Sequence, residues 1–146
     1  MIEPAPVRTR LDDGLVVVSE HLPHVPSVSI GLWVGTGSKF EPPGRGGISH
    51  FVEHMVFKGT ERRSAFEIAN ALESVGGSLD AFTGREMTCY HARVLEEDLT
   101  LAVEVLGDLV SRPTFEAEAL ELEKKVVVDE IRSFEDDPAD LAHDTL

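Results

Sequence analysis

Cysteine is nearly absent from this sequence of 146 residues, with Cys89 standing alone. A single cysteine cannot form an internal disulfide and suits a reducing compartment. Basic residues are also scarce: 13 Lys and Arg face 27 Asp and Glu, for a net charge of −14. The deficit is uneven. Residues 1–95 hold 9 Lys/Arg and 11 Asp/Glu, whereas residues 96–146 hold 4 and 16. Phosphate contacts need clustered Lys and Arg, so nucleic acid is not an expected partner. The acidic half reads as solvated helical surface, and its field would attract cations, basic peptides among them. Long apolar runs are missing too. The longest, such as Leu15 to Val18 and Val126 to Val128, fall far short of the roughly 20 residues of a membrane span. No membrane partner is expected. The opening Met1-Ile2-Glu3-Pro4-Ala5-Pro6 has neither a basic nor an apolar signal region, and cytoplasm is the default compartment.

What is present is enough for a core: 42% of residues are hydrophobic, which suits one globular domain. Arg8 to Glu20 reads as a hairpin around Asp12-Asp13-Gly14. Ser27 to Lys39 alternates, with Val28, Ile30, Leu32 and Val34 on one face, and is predicted to be one long strand. The Pro- and Gly-rich stretch Glu41 to Gly47 must end it. Ile48 to about Phe57 has helical periodicity. Ser64 and Glu67 form a capping box for a second helix, which runs to Val75 and stops at Gly76-Gly77. Ser78 to Thr83 and Glu86 to Leu95 read as strands around Gly84-Arg85. Leu99, Val103, Leu106 and Val110 stripe a helix closed by Pro113. Phe115 to Phe134 reads as another, and a further helix is predicted from about Ala139. This order predicts an α+β fold, a largely antiparallel sheet with helices packed on one face.

The chemistry concentrates in His50-Phe51-Val52-Glu53-His54. Residues three and four apart share a helical face, so His50, Glu53 and His54 project together. Two imidazoles one turn apart can grip a single zinc ion, with the carboxylate of Glu53 beside it. Catalytic zinc needs a third protein ligand and one open position. Glu123 and Glu130, two turns apart on the last long helix, offer one. That helix carries Val126, Val127, Val128 and Ile131, so it packs inward. A carboxylate there is costly to bury unless it is paired or bound to metal. Glu130 is therefore a better ligand candidate than the acids from Glu116 to Glu121. His21, His24 and His143 read as ordinary polar residues, and His91, on a strand beside Tyr90, as a packing or solvent-facing one.

The pentapeptide is the inverted zinc motif. Gly47-Ile48-Ser49-His50-Phe51-Val52-Glu53-His54-Met55-Val56-Phe57-Lys58-Gly59-Thr60 closely resembles the signature of the pitrilysin, insulin-degrading and mitochondrial processing peptidases. Gly76-Gly77, Asp80 to Glu86, Glu123 to Ile131 and Asp136-Asp137-Pro138 resemble further blocks of that family in order and spacing. The resemblance implies that His50, His54 and Glu130 bind one zinc ion and that Glu53 is the catalytic base. It implies that Glu123 supports the ligands from outside, and that the strand holding Asp80, Ala81 and Phe82 takes up extended peptide substrate. Asp80 stands where the family often has Asn. By the same resemblance, residues 1–146 correspond to the N-terminal portion of the metal-bearing peptidase domain. A C-terminal half would then complete a clamshell and supply oxyanion donors, and the segment alone is expected to be inactive and to self-associate. The alternative reading is a non-catalytic core subunit of the same fold. Four intact chemical residues favour a zinc endopeptidase acting on unfolded or short peptides.

Overall fold

The structure, a computed structural model, describes residues 5–135. The helix expected from Ala139, the Asp136-Asp137-Pro138 block and His143 lie outside them. Strands β1 (Val7–Arg10) and β2 (Val16–Ser19) form the expected antiparallel hairpin, with Val7 opposite Ser19 and Arg10 opposite Val16. Gly14 sits at φ +95° in its turn, where Asp13 Oδ1 accepts the Leu15 N–H at 3.0 Å. All eight strand residues are exposed.

The main sheet has three antiparallel strands in the order β3–β5–β4: β3 (Ser27–Val34), β4 (Ser78–Thr83) and β5 (Thr88–Leu95). Strand β3 is shorter than predicted. Its ladder ends where Val34 pairs with Thr88, the first residue of β5. Beyond that point the chain crosses the β4–β5 turn. Ser38 N–H reaches the Gly84 carbonyl (3.2 Å) and Lys39 N–H the Arg85 carbonyl (2.9 Å). A side chain at Gly37 would collide with the Gly84 carbonyl, so only glycine allows this crossing. Ser38–Phe40 then form a 3-10 turn instead of strand.

Helices α1 (Ile48–Val56), α2 (Ala65–Glu73), α3 (Leu99–Ser111) and α4 (Ala117–Glu135) complete the described fold. Both halves of the Ser64–Glu67 capping box form. At the other end of α2, Gly76 adopts φ +74°. Gly77 N–H bonds the Leu72 carbonyl (2.8 Å) and Gly76 N–H the Glu73 carbonyl (3.0 Å), the paired bonds of a Schellman stop. One sheet face packs under the helices, as predicted. Tyr90, Ala92 and Val94 of β5 meet Ile68 and Leu72 of α2, Ala102, Val105, Leu106 and Leu109 of α3, and Val56 of α1. Leu72, Val105 and Leu109 have no exposed surface. The opposite face carries Trp33 and Phe82, ring centroids 5.7 Å apart, and both are largely exposed.

Asp108 departs from the simple stripe of α3. Its buried carboxylate accepts from Thr60 Oγ1 and Arg63 Nη1, each at 2.7 Å. These bonds tie the α1–α2 connection to α3. Burial pushes the carboxyl upward, but the bonds from Thr60 and Arg63 outweigh it and hold Asp108 below its ordinary value. Among the described residues, no helix is long and apolar enough to cross a membrane.

Candidate metal centre

Helix α1 begins without a side-chain cap of its own. Gly47 occupies the cap position in a left-handed conformation, φ +86°. The carboxylate of Glu41 satisfies the helix end, with Oε2 accepting from Gly47 N–H (2.7 Å) and Oε1 from Ser49 N–H (2.8 Å). The Ser49 N–H is the main reason the Glu41 carboxyl sits below its ordinary value, and the Gly47 N–H adds to it. The helix is thus anchored one residue before His50.

On that helix His50 and His54 stack edge to face, with ring centroids 4.5 Å apart. Their Nε2 atoms face each other at 3.0 Å. Glu130 on α4 places Oε2 3.5 Å from His54 Nε2 and 3.9 Å from His50 Nε2. One ligand atom from each of the three lies within 4.8 Å of the others. Ligands about 2.1 Å from a tetrahedral ion lie about 3.4 Å from each other. The observed separations straddle that figure, and two imidazoles with one carboxylate are a familiar zinc donor set. The residues present fit the metal.

Glu123 lies on the other side of His54. Its Oε1 is 2.9 Å from His54 Nδ1, and its Oε2 is 2.7 Å from Lys58 Nζ. Glu123 is almost wholly buried. Burial raises its pKa, yet the bonds from Lys58 and His54 prevail and hold the carboxyl below its ordinary value. An ionised carboxylate can only accept, so the His54 Nδ1–H donates to it, and Nε2 is the ring nitrogen turned toward Glu130 and His50.

Glu53 faces β4. Its carboxylate accepts from Thr83 Oγ1, and Thr83 lies 3.3 Å from Thr88 Oγ1, which donates to the Thr36 carbonyl at 3.1 Å. The charge of Glu53, after burial, helps push the Tyr90 phenol up. Strand β4 lies at an edge of the main sheet. The three residues expected on it divide: Ala81 packs against the core, while Asp80 and Phe82 lie on the opposite face. Thr83 turns toward Glu53. His91 alternates away from the core-facing Tyr90 and Ala92, and its ring lies 6.1 Å from that of Phe82.

His50, His54 and Glu130 are therefore brought together with Glu123 behind His54, Glu53 projects from the same helix to Thr83, and the side chains of Asp80 and Phe82 lie on the face of β4 away from the core. Glu41, Lys58 and Thr83 escaped the reading of the sequence. Lys58 had a signal, since it follows His54 by four residues and continues the same face. Glu41 had none, because its contact depends on the path of the Pro42–Gly46 loop.

Comparison with known proteins identifies the family and the fold. The sequence profile of the family described as insulinase, peptidase family M16, matches residues 16–146. An uncharacterized zinc protease of Bacillus subtilis, YmxG, is 48% identical over 139 residues, covering 95% of this chain and 34% of that protein. An uncharacterized zinc protease of Mycobacterium tuberculosis is 49% identical over 140 residues, covering 96% and 32%. The crystal structure of a protease from Helicobacter pylori superposes with a TM-score of 0.90 at 26% identity, covering 94% of this chain and 34% of that one. The chain spans about a third of the length of the curated relatives it matches.

Proposed function

Because this chain belongs to the insulinase family of peptidases, M16, we propose that it is the metal-bearing part of a zinc-dependent endopeptidase. The observation that carries the reading is the convergence of His50, His54 and Glu130 with Glu53 on the same helical face. A zinc ion held by those three residues would lower the pKa of a water molecule to about 7 and polarise a scissile carbonyl. With the metal bound, Glu53 would be the group on this helix placed to accept a proton from water and return it to the departing amine. The bond from Thr83 occupies Oε2 and leaves Oε1 as the proton acceptor. An extended peptide adds to the edge of β4. The strand that receives substrate is then the strand whose last residue holds the base. Oxyanion donors would come from the remainder of the protein, whose relatives are about three times as long.

The test uses the full-length protein, a quenched fluorescent peptide and zinc analysis on the same samples. Glu53→Gln should keep its zinc and lose between about 100-fold and 10,000-fold of its turnover, the usual worth of a general base. His50→Ala and Glu130→Ala should lose both metal and turnover. An active Glu53→Gln enzyme, or zinc retained in full by both ligand variants, overturns the assignment.

A further inference from the structure

His54 lies between two carboxylates of one helix, a different one at each ring nitrogen. Glu123 meets Nδ1 at 2.9 Å and Glu130 approaches Nε2 at 3.5 Å. The two acids stand seven residues apart on α4, so both reach α1 from the same stripe. By geometry alone either could serve a cation bound at His54. Lys58 separates them. It is four residues beyond His54, just past the end of α1, where its N–H still bonds the Met55 carbonyl at 3.1 Å. From there Nζ reaches Glu123 Oε2 at 2.7 Å. The Glu123 side chain is only 6% exposed and that of Lys58 is 35% exposed. The carboxylate is thereby held inside while its partner keeps contact with water. Among the described residues no Lys or Arg pairs with Glu130, whose neighbours are the two histidines.

We propose that Lys58 is a positioning residue for the metal centre. It binds one oxygen of Glu123, which leaves the other aimed at His54 Nδ1 and keeps Glu123 from turning toward the ion. Through Glu123 it fixes the His54 tautomer whose Nε2 lone pair faces Glu130 and His50. Hydrogen-bond partners outside the ligand sphere commonly change metal affinity 10- to 100-fold, and this one acts through two bonds in series. The inference rests on the zinc reading above, but its geometry exists without the ion.

The experiment therefore has two readouts on the full-length protein: zinc affinity by chelator competition, and the His54 tautomer by nitrogen-15 NMR of the metal-free form. Lys58→Met keeps the aliphatic stem and removes the charge, whereas Lys58→Arg keeps a donor. The expected result is roughly tenfold or greater loss of zinc affinity in Lys58→Met, with recovery to within about threefold in Lys58→Arg. His54 should shift from one Nδ1-protonated tautomer to a mixture in Lys58→Met only. If wild-type protein binds no zinc, the metal reading fails, and the tautomer measurement still decides the role of Lys58. An unchanged tautomer in Lys58→Met overturns the proposal, even where stability or affinity falls, because a structural contact would produce that pattern.

Discussion

Helices α1 and α2 are each nine residues long, but they are held in opposite ways. Every device that bounds α2 lies within or beside it: Ser64 and Glu67 cap its start, and Gly76 with Gly77 stops it. Its Ile68 and Leu72 are fully buried in the core. Helix α1 has a glycine at its cap position and depends on residues brought from elsewhere. Glu41 caps its start, Thr83 holds Glu53, and Glu123 holds His54 and Lys58. A helix stabilised locally would fold correctly wherever it packed. One stabilised by three other elements has the right geometry only when all of them are assembled. The polar face of α1 is held by the elements that supply its chemistry.

Substitutions in the two helices should therefore separate stability from metal binding. The largest effect on stability is expected in α2. Leu72→Ala removes a side chain with no exposed surface and should cost about 3 kcal/mol in denaturant unfolding. Zinc affinity of the folded fraction should stay within about twofold of wild type. A large loss of affinity would show that the core and the site are not separable.

Glu41→Ala should destabilise less, by about 1–2 kcal/mol, the range for losing a helix cap. Unlike Leu72→Ala, it should weaken zinc binding, because the freed helix end adjoins His50. The effect should depend on pH. The folded-state pKa of Glu41 lies below the ordinary 4.5, so its contribution is fully present above that value and fades as pH falls through the folded pKa. Wild type and variant should draw together in stability as the medium is acidified below 4.5 and on through the lowered pKa of Glu41. A difference that does not narrow at all on acidification, down to the point of acid unfolding, would mean that the carboxylate charge is not what caps α1.

The smallest effect belongs to the local cap. Ser64→Ala should cost about 1 kcal/mol and leave zinc affinity unchanged in chelator competition. If it disturbed the metal as much as Glu41→Ala, the distinction between the helices would disappear.

The elements that could be read from the sequence were those with local causes. Alternation gave β3 its face, the capping box gave α2 its start, and Gly84 with its neighbours gave the β4–β5 turn. The end of β3 could not be read this way. Residues up to Lys39 continue a plausible strand, but the ladder stops at Val34 because β5 begins at Thr88. Asp108 was hidden for a related reason. One acid in an apolar stripe reads as solvated until Thr60 and Arg63 are found against it.

The spacing of His50, Glu53 and His54 was fixed by the chain alone, because helical geometry puts residues three and four apart on one face whatever surrounds them. The sequence also put Glu123 and Glu130 on one stripe, two turns apart. Only the packing of α4 against α1 gave the two acids different places, with Glu123 at Nδ1 beside Lys58 and Glu130 at Nε2. Only the docking of β4 set Thr83 against Glu53. Those contacts join residues separated by 30 positions, from Glu53 to Thr83, up to 76, from His54 to Glu130. No local periodicity carries information over that range, because the partner is chosen by which surfaces bury together.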